Sequence, residues 1–144
     1  MTLARTLSQS ALRIRPPGRV LLVGDQAPST DALRRGLSDD NHVVVAGEAA
    51  EALSRLDRGE FYDILLCELM MPAMDGIDLY RRVCTTHPDV ANRMVFMTAE
   101  ATTARTDAFF RRVPNLLLEK PIPVDGVRAL IERRVGSFAS AASC

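Results

Sequence analysis

The stretch Asp63–Gly76, DILLCELMMPAMDG, decides how the rest of the chain is read. From Asp63 to Leu69 it is a nearly unbroken apolar run of strand length. Strands that are apolar on both faces belong to sheets covered on both sides. Glu68 interrupts the run near its carboxyl end. Met70-Met71-Pro72 and Asp75-Gly76 then close the strand with loop residues, and a helical pattern follows. A carboxylate at the end of a buried strand is costly unless something pairs with it. The surroundings of Glu68 are therefore the question the sequence raises.

The same strand–loop–helix unit recurs on either side. RVLLVG (19–24), HVVVAG (42–47), RMVFMT (93–98) and NLLLEK (115–120) are short apolar runs rich in Val and Leu. Helical periodicity fills the intervals. Residues 29–40 carry Leu33 and Leu37 behind an expected N-cap at Ser29 or Thr30. Residues 48–59 place Ala49, Ala52, Leu53 and Leu56 on one face, with Gly59 as the stop. Residues 76–87 carry Ile77, Tyr80, Val83 and Cys84, with Asp75 as cap and Pro88 as terminator. Residues 102–113 form a weaker helix, whose neighbouring Phe109 and Phe110 do not easily share the inner face, so that one of them is expected to be partly exposed. Residues 123–135 bury Val124, Val127, Leu130, Ile131 and Val135. Five strands alternating with five helices mean βα units on a parallel sheet. The fold class is α/β, a flavodoxin-like (βα)5 three-layer sandwich with strand order 2-1-3-4-5.

The organisation expected is a flexible N-terminal segment over 1–17, one domain over 18–136 and a flexible tail over 137–144, with no output domain. The 144 residues are 47% apolar and 25% charged, an ordinary globular composition. Formal net charge is zero, which gives no electrostatic case for nucleic acid or an anionic membrane. No apolar run is long enough to span a bilayer and no signal-peptide pattern is present, so the expected location is cytoplasmic. Cys67, Cys84 and Cys144 lack metal-ligand spacing and read as reduced thiols. Asp39-Asp40 reads as a solvated turn, and Asp63 as a turn or strand-edge residue.

In such sheets ligands bind outside the carboxyl ends of the strands. The first strand ends in Gly24-Asp25, the third in Glu68, the fourth in Thr98 and the fifth in Lys120. Two carboxylates, a hydroxyl and an ammonium thus converge on one rim. A flavin or nucleotide site is disfavoured, because GDQAPST (24–30) has a single glycine and cannot form a phosphate-cradling loop.

The motifs RVLLVGDQ, DILLCELMMPAMDG, VFMTA and LEKPI, with the spacing Glu68–Thr98–Lys120, resemble the receiver domain of two-component response regulators over residues 18–136. The resemblance implies a phosphoacceptor aspartate at the end of the third strand, fed by a histidine kinase. It also implies a Mg²⁺ held by a pair of acids after the first strand, and a Thr and Lys that bind the phosphoryl oxygens. Thr98 and Lys120 match. The phosphoacceptor position holds Glu68, the acidic pair is reduced to Gly24-Asp25, and Leu117 stands where an aromatic residue is common. Glu is one methylene longer than Asp, and misplacing a nucleophile by about an ångström costs on the order of a hundredfold in rate. The resemblance therefore implies an atypical, non-enzymatic receiver outside the usual phosphorylation chemistry, with Glu68 either a partial mimic of phosphoaspartate through Lys120 or half of an ordinary ion pair in a retired site with no switched output. A weakened Mg²⁺ site would use Asp25, Glu68 and the Met70 carbonyl, with Gly24 leaving a gap for water. The expected partner is a signalling protein, either a histidine kinase or a downstream effector. The face of the fourth helix, fifth strand and fifth helix is its expected contact, or that of a homodimer. The competing expectation is a working Mg²⁺-dependent phosphoacceptor, stand-alone or from a hybrid histidine kinase.

Overall fold

The apolar runs form a five-stranded parallel sheet, β1 (Arg19–Val23), β2 (His42–Ala46), β3 (Ile64–Glu68), β4 (Met94–Thr98) and β5 (Leu117–Glu119), ordered β2-β1-β3-β4-β5. The computed structural model describes residues 16–25 and 28–136. The expected C-terminal tail with Cys144, and residues 1–15 of the N-terminal segment, lie outside them. Helices α1 (Pro28–Leu37), α2 (Ala49–Asp57), α3 (Gly76–Thr86), α4 (Ala104–Arg112) and α5 (Val124–Gly136) connect the strands. A single helical turn, Pro88–Ala91, follows α3. Among the described residues no helix is long and apolar enough to cross a membrane.

Alternation along each strand divides the core into two layers. Leu21, Val23, Leu65, Cys67 and Phe96 face α2, α3 and α4, where they meet Ala52, Leu56, Ile77, Leu79 and Phe109. Val20, Leu22, Ile64, Leu66, Val95 and Met97 face α1 and α5, against Leu33, Leu37, Val127 and Ile131. This double cover explains why the central strands are apolar on successive residues. It also places Cys67 in the core, where burial first, then the charges of Glu68 and Asp75, raise its thiol pKa far above the usual range.

Two local expectations, at the head of α1 and at Asp40, are corrected. Neither Ser29 nor Thr30 caps α1, because the helix already begins at Pro28. Proline's fixed φ suits a first helical position, and its missing N–H needs no partner there. Thr30 is consequently inside the first turn and buried. Phe109 and Phe110 both reach the interior layer. Each packs edge-on against Phe96, with centroids at 5.6 and 5.4 Å, while Phe110 is the one that stays partly exposed, as expected of one of the pair. A capping box between Thr103 and Thr106 sets this register of α4. Asp40 is not simply solvated, since its carboxylate approaches Arg128 of α5 at 3.5 Å and accepts from Asn41 at 3.1 Å.

Asp75 caps α3 as expected, accepting the Asp78 amide at 2.9 Å. Its other carboxylate oxygen accepts from Arg105 of α4 at 2.7 Å. Burial works against the charged carboxyl, but the Asp78 amide and the Arg105 guanidinium hold its pKa below the ordinary carboxylate range. Gly59 ends α2 with φ of +88°, the left-handed conformation that favours glycine.

Asn41 joins three elements. Its buried side chain accepts the Gly18 amide at 3.0 Å, at the entry to β1, and donates to the Leu37 carbonyl at 3.3 Å, at the end of α1. Removing it leaves buried backbone groups unpaired. Asn41→Ala is expected to lower stability by about 1–3 kcal/mol in urea denaturation. A loss near zero would show that water replaces both bonds.

Candidate functional site

Glu68 is the last residue of β3 and pairs with Met97 in the register of β4. The Lys120 amide donates to the Thr98 carbonyl at 2.8 Å, which carries the β4–β5 ladder one residue past β5. From there the lysine arm crosses the end of β4, and its Nζ donates to Glu68 Oε1. The same oxygen lies 3.4 Å from Thr30 Oγ1, in the first turn of α1. The side chains of Lys120 and Glu68 are 16% and 13% exposed, so water screens this ion pair little. Such pairs are costly to desolvate, and removing one partner strands the other.

Gly24 explains how Glu68 takes up this position. Its φ is +149°, a conformation L side chains rarely adopt. A Cβ built there would sit 2.3 Å from Glu68 Cγ. The gap expected for water beside Gly24 is thus filled by the glutamate's own methylene. A side chain at position 24 would force Glu68 to rotate away from Lys120. Gly76, across the β3–α3 loop, is constrained in the same way, since a Cβ there would meet the Glu68 carbonyl at 2.8 Å.

The other rim residues are placed differently. Thr98 is buried, and its hydroxyl both donates to the Glu100 carbonyl and accepts the Glu100 amide, each at 3.2 Å. It therefore orders the start of the β4–α4 loop rather than contacting Glu68. Asp25 follows Gly24 and is exposed. Met70 is 58% exposed, and its side chain adds nothing to the pair. Among the described residues, no three His, Cys, Asp or Glu side chains are grouped to hold a metal ion. A small cleft of about 140 Å³ opens beside the pair, with Leu33, Met97, Ile122 and Val124 as walls.

Glu68 and Lys120, which the strand ends place on one rim, are in direct contact. Thr30, expected only as a cap, is the third polar contact. The signal was its place on the helix that leaves the same rim of the sheet. The close fit of Gly24 against Glu68 had no signal beyond the coincidence of two unusual residues on adjacent strands.

The fit can be isolated by a double-mutant cycle of Gly24→Ala and Glu68→Ala. Backbone strain at position 24 is common to both backgrounds and cancels. The expected result is a Gly24→Ala penalty that shrinks by about 0.5–3 kcal/mol once Glu68 is truncated, read by chemical denaturation. Equal penalties in both backgrounds would mean that the glutamate yields freely.

Comparison with known proteins agrees with this architecture. A protein of 14.6 kDa from the sodA1 3′ region of Leptolyngbya boryana, itself uncharacterised, is 35% identical over 111 residues, which cover 76% of this chain and 84% of that one. The hydrogenase transcriptional regulatory protein HoxA of Bradyrhizobium diazoefficiens is 35% identical over 78 residues, 54% of this chain but only 16% of its own length. This chain thus spans a small part of that longer relative. In fold it is similar to the receiver domain of a sensor histidine kinase from Pseudomonas aeruginosa, whose structure has a magnesium ion in the active-site cleft. The TM-score is 0.70 at 21% identity, covering 84% of this chain and 99% of that one. The response regulator receiver domain family matches residues 20–132, and the chain belongs to that family.

Proposed function

We propose that this chain is an atypical receiver that works by protein–protein contact and is not phosphorylated in the usual way. Glu68 stands at the phosphoacceptor position. The observation that carries the reading is the ion pair from Glu68 to Lys120, supported by the fit of Gly24 against the glutamate's methylene. Phosphoryl transfer depends on placing a nucleophile in line with its donor and neutralising charge around it. Here the carboxylate is already engaged by the cation that would receive the phosphoryl oxygens.

The residues present fit Mg²⁺ poorly. The ion requires near-octahedral oxygen ligands, usually one or two carboxylates with water. Asp25 remains, but Glu68 Oε1 is committed to Lys120, and residue 24 contributes no carboxylate. Magnesium binding is therefore weakened.

Glu68 is a partial mimic of phosphoaspartate. A carboxylate brings one charge and two oxygens, against nearly two charges and three oxygens. It meets Lys120, while Thr98 stays bound to Glu100. The mimic thus makes the lysine contact of a phosphoryl group without the threonine contact. Its partner is a histidine kinase or a downstream effector. The first surface to test is α4-β5-α5, where Phe110 is half-buried and Leu116 is 43% exposed; a homodimer would use the same face.

The reading is tested by intact mass after incubation with acetyl phosphate and Mg²⁺, on the wild type and Glu68→Asp side by side. The wild type is expected to carry no phosphoryl adduct, and the variant a measurable one. An adduct on the wild type would restore ordinary Mg²⁺-dependent phosphotransfer, as in a stand-alone regulator or the receiver of a hybrid histidine kinase.

A further inference from the structure

The opposite pole of the sheet, where the strands begin, carries charge that the Glu68 site does not use. Arg19 opens β1 and Arg93 immediately precedes β4, on the two strands that flank β3. Both hold Phe61. The Arg93 guanidinium lies 5.0 Å from the centroid of that ring, and Arg19 Nε donates to the Phe61 carbonyl at 2.8 Å. Arg134, in the last turn of α5, donates to the Asn92 carbonyl at 3.2 Å, which brings its guanidinium beside Arg93. Arg133 adds a further exposed cation.

Three carboxylates lie around these four arginines, Asp63, Asp89 and Glu132, which neighbours Arg133 along α5. One oxygen of Asp63 is taken by the Arg19 backbone amide at 2.8 Å. Asp89 forms an ion pair with Arg93 Nη1 at 3.7 Å, longer than a hydrogen bond, and is itself 65% exposed. Arg93 Nη1 is buried and has no hydrogen-bond partner. Burial, then the neighbouring charges of Arg93 and Arg133, depress the pKa of Arg134, as expected where cations repel one another. The whole chain has zero net charge, so this excess is local.

We infer that this pole is an oxyanion site, in which Arg93 and Arg134 receive a carboxylate from an acidic segment of a protein partner and Phe61 supplies the apolar rim. A guanidinium presents a planar fork that matches a carboxylate or phosphate with two parallel bonds. Phe61 is 51% exposed beside that fork, a surface that a bare inorganic anion would leave uncovered. Asp63 and Asp89 flank the arginines, which disfavours a long polyanion. The site is independent of the reading of Glu68.

The test is a titration of the full chain, at constant ionic strength, followed through the arginine Nε–H signals by NMR. The probes are a short peptide of alternating glutamate and leucine, and inorganic phosphate. The peptide is expected to shift the Arg93 and Arg134 signals saturably. Arg134→Gln should weaken it about tenfold, the loss of one charge-assisted contact, with Arg134→Lys intermediate. Phe61→Ala should weaken the peptide and leave phosphate unchanged. Thermal melting of each variant checks that it is folded. The proposal is overturned if neither probe saturates, if Arg134→Gln binds the peptide as the wild type does, or if phosphate alone binds.

Discussion

A single ion pair, Glu68 to Lys120, organises the carboxyl rim of this domain. It joins the end of β3 to the residue after β5, over the top of β4. The strand order makes this possible, since β4 separates the two partners and its last residue, Thr98, anchors the lysine backbone. Both charges are mostly withdrawn from water, so each is tolerable only because the other is present. The neighbouring residues follow from that constraint. Position 24 must lack a side chain so that the glutamate's methylene can lie flat against β1. Thr30 closes over the pair from α1.

On the proposed reading Glu68 and Gly24 are the two departures from the receiver pattern, and sterically they are one arrangement. A longer arm at the end of β3 and a missing side chain at the end of β1 occupy the same few ångströms. On the proposed reading, loss of the second acid and loss of the phosphoacceptor aspartate are not independent injuries to a once-active site. They together build a rim whose cation already has an anion. The loop side of the rim is held separately. Thr98 turns to Glu100, and Arg105 ties α4 to the cap of α3 through Asp75.

The fold was legible in the sequence because its core has two layers. Successive apolar residues on β1, β3 and β4 can only belong to a sheet covered on both faces, and the helical intervals supply the covers. The rim was legible too, since parallel strands bring their carboxyl ends together whatever side chains they carry. What escaped was local geometry. A proline at the head of α1 moved Thr30 from cap to site, because proline suits the first helical position better than a hydroxyl residue two places later. The capping box at Thr103 fixed the phase of α4 so that Phe109 and Phe110 could both reach Phe96. Thr98 stands at the rim as expected, and its hydroxyl accepts a loop amide two residues on. None of these outcomes changes hydrophobic periodicity, the signal from which elements are read.

The central claim is that Glu68 already occupies the phosphoryl position beside Lys120. The most direct measurement follows the backbone amides of Thr98 and Lys120 by NMR while Mg²⁺ and beryllofluoride, a phosphoryl mimic, are added to the wild type. The account predicts no saturable, Mg²⁺-dependent shift at either amide. A saturable shift at both would mean that the glutamate leaves Lys120 for an incoming phosphoryl group, and that the site is still open to phosphotransfer.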